Sequence, residues 1–193
     1  PIPRSAYSGM LPGFVAVHYS REDLDIDLVR LARFANARII LGAVNAIDPV
    51  AKLISVPGRP DIAYDACAID VGITSDMPAL VGFKIHAVPA KPLGPFASKW
   101  ATFREQANEP ELAVIGGGVA GAELAMAMSH ALKTDGHTPK VHLIDRSKAL
   151  TALRPKTRAR MFDALAANNV VVLEDAPVAE ITDKGVVLED GRL

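Results

Sequence analysis

The chain has 193 residues, half of them hydrophobic, enough to bury a sizeable core as one large domain or two small ones. Its 21 basic and 22 acidic side chains nearly cancel and form no run of like charge, which gives no reason to expect nucleic acid or an anionic membrane surface as partner. No stretch approaches the ~20 uninterrupted apolar residues of a membrane span, no basic segment leads an apolar one at the start, and the one cysteine, Cys67, excludes an internal disulfide or a CxxC redox pair.

The opening PIPRSAYSGMLPG lacks periodicity and predicts loop through residue 20. Together with a close just after a turn at Asp190-Gly191, it suggests a segment of a longer chain. Ser20 and Asp23 form a capping box for a helix whose apolar stripe (Ile26, Val29, Phe34) runs to about Ala35. Arg38–Val44 and Lys52–Val56 are β-rich runs separated by the turn Asp48-Pro49, and Pro57-Gly58-Arg59-Pro60 is a further turn. Ile62–Tyr64 predicts a short strand, and Ala66–Val71 a buried one that would make Cys67 a small core residue. Residues 72–95 read as loop with one short strand near Ile85–Val88. A helix over Pro95–Ala107 carries Phe96, Trp100 and Phe103 on one face, and Asn108-Glu109-Pro110 ends it.

The second half alternates. Strands are expected at Glu111–Ile115, Val141–Asp145 and Val170–Leu173, with helices at Val119–Lys133 and Pro155–Asn168, the latter opened by proline. Val178–Thr182 and Val186–Glu189 complete the pattern as a hairpin about Asp183-Lys184-Gly185. Strand, helix, strand, helix, strand predicts an α/β fold with a parallel sheet.

Gly116-x-Gly118-x-x-Gly121 stands directly after the first of these strands and at the mouth of its helix. Gly116 permits the tight turn, Gly118 lets the backbone approach a pyrophosphate, and Gly121 lets helix and strand pack closely. Free N–H groups at Val119 and Ala120 and the positive end of the helix dipole then face the phosphates. Asp145, 24 residues beyond Gly121, ends the next strand, where a carboxylate accepts from a ribose 2′-hydroxyl and repels a 2′-phosphate. The expected ligand is NADH, with the adjacent Arg146 softening the choice against NADPH. The competing reading makes the glycines a bare turn and Asp145 a turn-former.

Val114-Ile115-Gly116-Gly117-Gly118-Val119-Ala120-Gly121-Ala122-Glu123 resembles the NAD half of the two-dinucleotide flavoproteins, the pyridine nucleotide-disulfide oxidoreductase superfamily. The final hairpin also resembles that domain, with one further strand absent. Tyr7-Ser8-Gly9-Met10-Leu11-Pro12-Gly13 is similar to a stretch near the flavin in the NADH dehydrogenase-like and sulfide:quinone reductase-like branch, which includes flavoproteins associated with selenide, water dikinase. Ala43-Val44-Asn45-Ala46-Ile47-Asp48 resembles the strand that meets the adenine. Tyr64-Asp65 with Asp70-Val71-Gly72-Ile73-Thr74 resembles the segment that closes over the FAD diphosphate, and Lys91-Pro92 matches a Lys-Pro pair. The FAD glycine fingerprint, the later Gly-Asp segment and the paired redox cysteines have no counterpart here.

The resemblance implies a partial FAD-binding domain over residues 1–108 and a Rossmann NAD(P)-binding domain over 109–193. It implies hydride transfer from NADH to flavin and on to a quinone or other small acceptor. Glu123, on the first turn of the glycine helix, would face the nicotinamide, against the simpler view that it complements the helix dipole. Lys91 would reach a flavin edge, against a solvated lysine. The five histidines have no partners at ligand spacing, so no metal is expected. A stand-alone NAD-binding or regulatory module without catalysis is the alternative, and a stand-alone NAD-dependent dehydrogenase with its own substrate domain predicts a catalytic His or Lys-Tyr arrangement that the sequence does not show. The expected location is cytoplasmic, either free or peripheral to the inner face of the membrane, and a homodimer is left open.

Overall fold

The computed structural model describes residues 3–75, 77 and 79–192, so Pro1, Ile2, Asp76 and Pro78, read above as loop, lie outside the described residues. The chain divides into two units, residues 1–5 with 25–73, and residues 6–24 with 74–193.

In the first unit β1 (Arg4–Ala6) pairs with β2 (Asp25–Asp27). Two short helices of the second unit, α1 (Leu11–Val15) and α2 (Arg21–Leu24), lie between them in sequence. The expected loop over residues 1–20 is therefore corrected: it holds a strand, a 3-10 turn at Ser8–Met10 and α1, which Pro12 helps to open. The Ser20 capping box forms as expected. Ser20 N–H donates to Asp23 at 2.9 Å, and Asp23 N–H donates to Ser20 Oγ at 3.2 Å. The single helix expected to Ala35 is broken, because the Asp27 carboxylate accepts from Val29 N–H (2.9 Å) and Arg30 N–H (3.0 Å) and caps a new helix, α3 (Leu28–Phe34).

The meander β3 (Ala46–Asp48), β4 (Leu53–Ser55) and β5 (Ile62–Ala63) is antiparallel throughout. Asp48 Oδ1 accepts from the N–H groups of Val50 and Ala51, each at 2.8 Å, which makes the expected turn. Arg38–Val44 and Ala66–Val71 form no strand among the described residues, and the second run is exposed, with Val71 at 77%. Cys67 is exposed as well, not a core residue. Val56 is this unit's one described hydrophobic residue that is buried, at 6%. Apolar composition does not make a strand where no neighbour takes up its backbone groups.

In the second unit α4 (Phe83–His86) replaces the strand expected near Ile85–Val88, and α5 (Leu93–Gln106) starts slightly before the expected residue. Next come β6 (Glu111–Ile115), α6 (Val119–Thr134), β7 (Lys140–Ile144), α7 (Pro155–Ala167) and β8 (Val170–Leu173). The three strands form a parallel sheet in the order β6-β7-β8, with Ile115 opposite Ile144 and Ile144 opposite Leu173. The hairpin β9 (Val178–Ile181) and β10 (Val186–Leu188) is antiparallel, with an irregularity at Val187/Leu188.

Helix α6 serves two cores. Ala122 and Ala125 pack with Val141, Leu143, Leu165 and Val170 on the sheet side. Leu124, Ala127, Met128, Ala131 and Leu132 pack with Leu11, Val15, Phe96 and Trp100. The aromatic face of α5 is thus core, as expected, and Trp100 Nε1–H donates to the buried carbonyl of Val15 at 3.1 Å.

Candidate nucleotide site at the glycine loop

Strand β6 delivers the chain to Gly116, whose N–H still donates to Ile144 O on β7 at 2.8 Å. The backbone then turns through φ +113° at Gly116, a conformation that favours glycine. At Gly121 a Cβ would lie 2.0 Å from the carbonyl oxygen of Gly116, so only glycine lets the helix close on the turn. Gly118 is the opposite case. It precedes the first residue of α6, makes no side-chain cap, and a Cβ there would meet nothing within 4 Å. Gly118, Val119 and Ala120 are exposed. The first N–H groups of an α-helix have no intrahelical partner, so this open mouth presents donors and the positive end of the dipole to an anion.

Asp145 follows β7 directly, and its N–H continues the ladder to Leu173 O at 2.9 Å. Its side chain turns toward the glycine loop: Oδ2 accepts from Gly117 N–H at 2.7 Å. Oδ1 accepts from Ser147 N–H at 2.8 Å and Ser147 Oγ at 3.1 Å. Partial burial opposes the charge on Asp145, but the amides of Ser147 and Gly117, the Ser147 hydroxyl and the Arg146 guanidinium outweigh it and hold the carboxyl below its ordinary range. It is a fixed anion at neutral pH. Arg146 is exposed beside it.

Three residues with no glycine or charge signal complete this arrangement. Leu150 N–H donates to Gly117 O at 2.7 Å, and Leu150 sits at φ +56°. Ala149 packs beneath Gly117, where a Cβ would come within 2.7 Å of its own. Ser147 was legible only as the second residue after an aspartate, a spacing that favours an Asx-turn.

The other expected residues are placed as follows. Glu123 is exposed and is the fifth residue of α6, so the first turn carries no acid and the dipole-complementing view fails. Tyr7, Ser8 and Gly9 are exposed, and the Tyr7 ring folds over Gly9, where a Cβ would be 3.0 Å from it. Met10 and Pro12 are half-buried, while Leu11 belongs to the core. In the first unit Val44, Asp70, Val71 and Gly72 are all exposed. Lys91 is half-buried and lines a cleft of about 470 Å³ with Thr74, Ser75, Phe83, Lys84 and Lys99. Among the described residues no cluster of His, Cys, Asp and Glu could hold a metal, and no helix is long and apolar enough to cross a membrane.

This chain is 26% identical over 137 residues to demethylphylloquinone reductase of Synechocystis sp., an alignment that covers 68% of this chain and 33% of that protein. The fold matches sulfide:quinone oxidoreductase from Aquifex aeolicus with a TM-score of 0.73 at 18% identity, covering 98% of this chain and 47% of that one. It matches the ferredoxin reductase for the CYP199A2 system from Rhodopseudomonas palustris with a TM-score of 0.77 at 15% identity, covering 99% of this chain and 47% of that one. The chain thus spans a third of the curated relative and under half of these structures, and its α/β architecture is that of the two-dinucleotide-binding flavoproteins. The family model for pyridine nucleotide-disulphide oxidoreductases matches residues 15–193, and the chain belongs to that family.

Proposed function

We propose that the chain is part of an FAD-dependent NAD(P)H oxidoreductase that takes hydride from NADH and passes the electrons to a quinone or another small acceptor. Residues 109–193 would form its NAD(P)-binding Rossmann domain and residues 1–108 a partial FAD-binding domain. The observation that carries the reading is the open mouth of α6 beside a carboxylate held on the Gly117 amide.

The amides of Val119, Ala120 and Gly121 would take the diphosphate of NADH, with Gly118 leaving room for it. Asp145 would accept from the adenosine ribose. A carboxylate has about four acceptor sites, and Gly117 N–H, Ser147 N–H and Ser147 Oγ occupy three of them. The grip on the sugar would therefore be one strong hydrogen bond donated by the ribose hydroxyl to Oδ2, joined by a second to Oδ1 when the Ser147 hydroxyl rotates away. A 2′-phosphate would meet the same fixed negative charge, which is the basis for choosing NADH over NADPH.

The flavin side rests on the resemblance. Gly72 has no neighbour within 4 Å of a Cβ position, so its backbone is open to a phosphate. In the first unit the resemblance assigns Asp70 and Val71 to that approach and Val44 to the adenine; in the second it assigns Tyr7 to Pro12 and Lys91 to the ring. Bound flavin supplies a two-electron acceptor that can hand electrons on singly or in pairs. Glu123, exposed on α6, would face the nicotinamide and help orient it. One cysteine cannot form a redox dithiol within this chain, and the likeness to a demethylphylloquinone reductase favours a quinone as acceptor.

The test is titration of the chain with NADH and NADPH, together with the visible spectrum of a longer chain that also carries an FAD glycine fingerprint. Tighter binding of NADH by the 193 residues and flavin bands in the longer chain are expected. NADH binding with no flavin in the longer chain would favour a nucleotide-binding module without catalysis, and absence of NADH binding would overturn the assignment.

A further inference from the structure

Residue Ala149 has both backbone polar groups held by one ion pair. Its N–H donates to Glu174 Oε1 at 2.8 Å, and its carbonyl accepts from Arg158 Nε at 2.8 Å. Arg158 Nη2 also donates to that same Oε1 of Glu174. Glu174 follows β8 and Arg158 lies on the first turns of α7, so two separate parts of the chain converge on one residue. The next residue is Leu150, 2% exposed and in the left-handed region at φ +56°, where a bulky side chain persists only if its surroundings impose it. In that conformation Leu150 N–H reaches Gly117 O at 2.7 Å. On the other side of the same residue, Gly117 N–H holds Asp145.

The connections form one chain: ion pair, Ala149, Leu150, Gly117, Asp145. We propose that Glu174 and Arg158 are positioning residues for nucleotide discrimination, acting through the Ala149-Leu150 backbone to hold Gly117 and so the Asp145 carboxylate in register with the ribose. This rests on the nucleotide reading above. Both side chains bond Ala149 rather than the glycine loop. A salt bridge on the outside of a helix ordinarily contributes little. This one satisfies the backbone of buried Ala149, next to the strained Leu150, which gives it leverage on the loop.

The test measures NADH and NADPH affinities by calorimetry for the 193-residue chain, for Glu174→Ala, Arg158→Ala and Asp145→Ala, and for Glu174→Ala combined with Asp145→Ala. Glu174→Ala is expected to weaken NADH about tenfold, the scale of one hydrogen bond to a charged group, and to weaken NADPH less, so that the preference shrinks. On the Asp145→Ala background the same change should have no further effect on NADH. Glu174→Gln keeps an acceptor for Ala149 N–H and should restore part of the preference; it also serves if the alanine variant does not fold. A ratio of the two affinities unchanged by Glu174→Ala and Glu174→Gln, or an undiminished effect when Asp145 is already absent, overturns the proposal. Failure of the unmodified chain to bind NADH overturns the nucleotide reading and this inference together, a result distinct from NADH binding that ignores Glu174.

Discussion

Gly117 N–H donates to Asp145 Oδ2 at 2.7 Å across two parallel strands, so the residue that would select the nucleotide is also a support of the loop that would bind its phosphates. One carboxylate thereby couples two parts of the candidate site. Removing it changes charge and loop geometry at once.

Gly118 and Gly121 divide function from folding. Gly118→Ala adds a methyl group to open space, so the thermal midpoint should hardly move while NADH affinity falls, because the methyl occupies the approach of the diphosphate. Gly121→Ala drives a Cβ to 2.0 Å from a backbone oxygen. Overpacking of this kind costs about 1–3 kcal/mol or more, so that variant should lose stability and binding together. Calorimetry beside thermal melting checks both.

Asp145→Ala should narrow the preference for NADH, since it removes the proposed ribose acceptor and would leave Arg146 beside any 2′-phosphate. Titration with both nucleotides reads the change. An unaltered ratio would contradict the role assigned to this carboxylate.

The same group predicts a pH dependence. Its folded pKa lies below the ordinary 3.8 because its hydrogen bonds and Arg146 outweigh burial. Its contribution is therefore complete above the unfolded-state value, about 3.9, and is lost as pH falls through the lower folded value. Melting curves from about pH 5 to about pH 3 should show a steeper fall for the natural chain than for Asp145→Asn.

Trp100 is 4% exposed and is the single tryptophan, so native fluorescence should be blue-shifted and should move to the red on unfolding. Trp100→Phe removes the donor to Val15 O. Stranding a buried carbonyl costs about 1–3 kcal/mol, measurable as a lower denaturation midpoint.

Cys67 is exposed, so one thiol per chain should react with an aromatic disulfide reagent under native conditions. A reaction that waits for denaturant would place it back in the core.

The second half of the chain was legible in the sequence because local signals there agree with the packing. The glycine spacing, the proline opening α7, the apolar runs of β6 to β8 and the alanine-rich face of α6 each point to one parallel sheet with a helix against it. The capping box at Ser20 and the turn at Asp48 were equally local and equally readable. Asp145 could be named from its distance to Gly121, because a βαβ unit has a nearly fixed length.

What the sequence could not decide was where a run finds its neighbour. Arg38–Val44 and Ala66–Val71 have strand composition, yet strand pairing is a tertiary event and these residues remain unpaired among those described. Asp27 could as well have been a helix interior residue until its carboxylate took two amides and started α3. The left-handed turn at Leu150 carries no sequence signal at all. Contacts beyond its sequence neighbours surround it: Glu174 and Arg158 bond Ala149 and Gly117 O accepts from Leu150 N–H, and a strained backbone conformation persists only where the surrounding structure over-determines it.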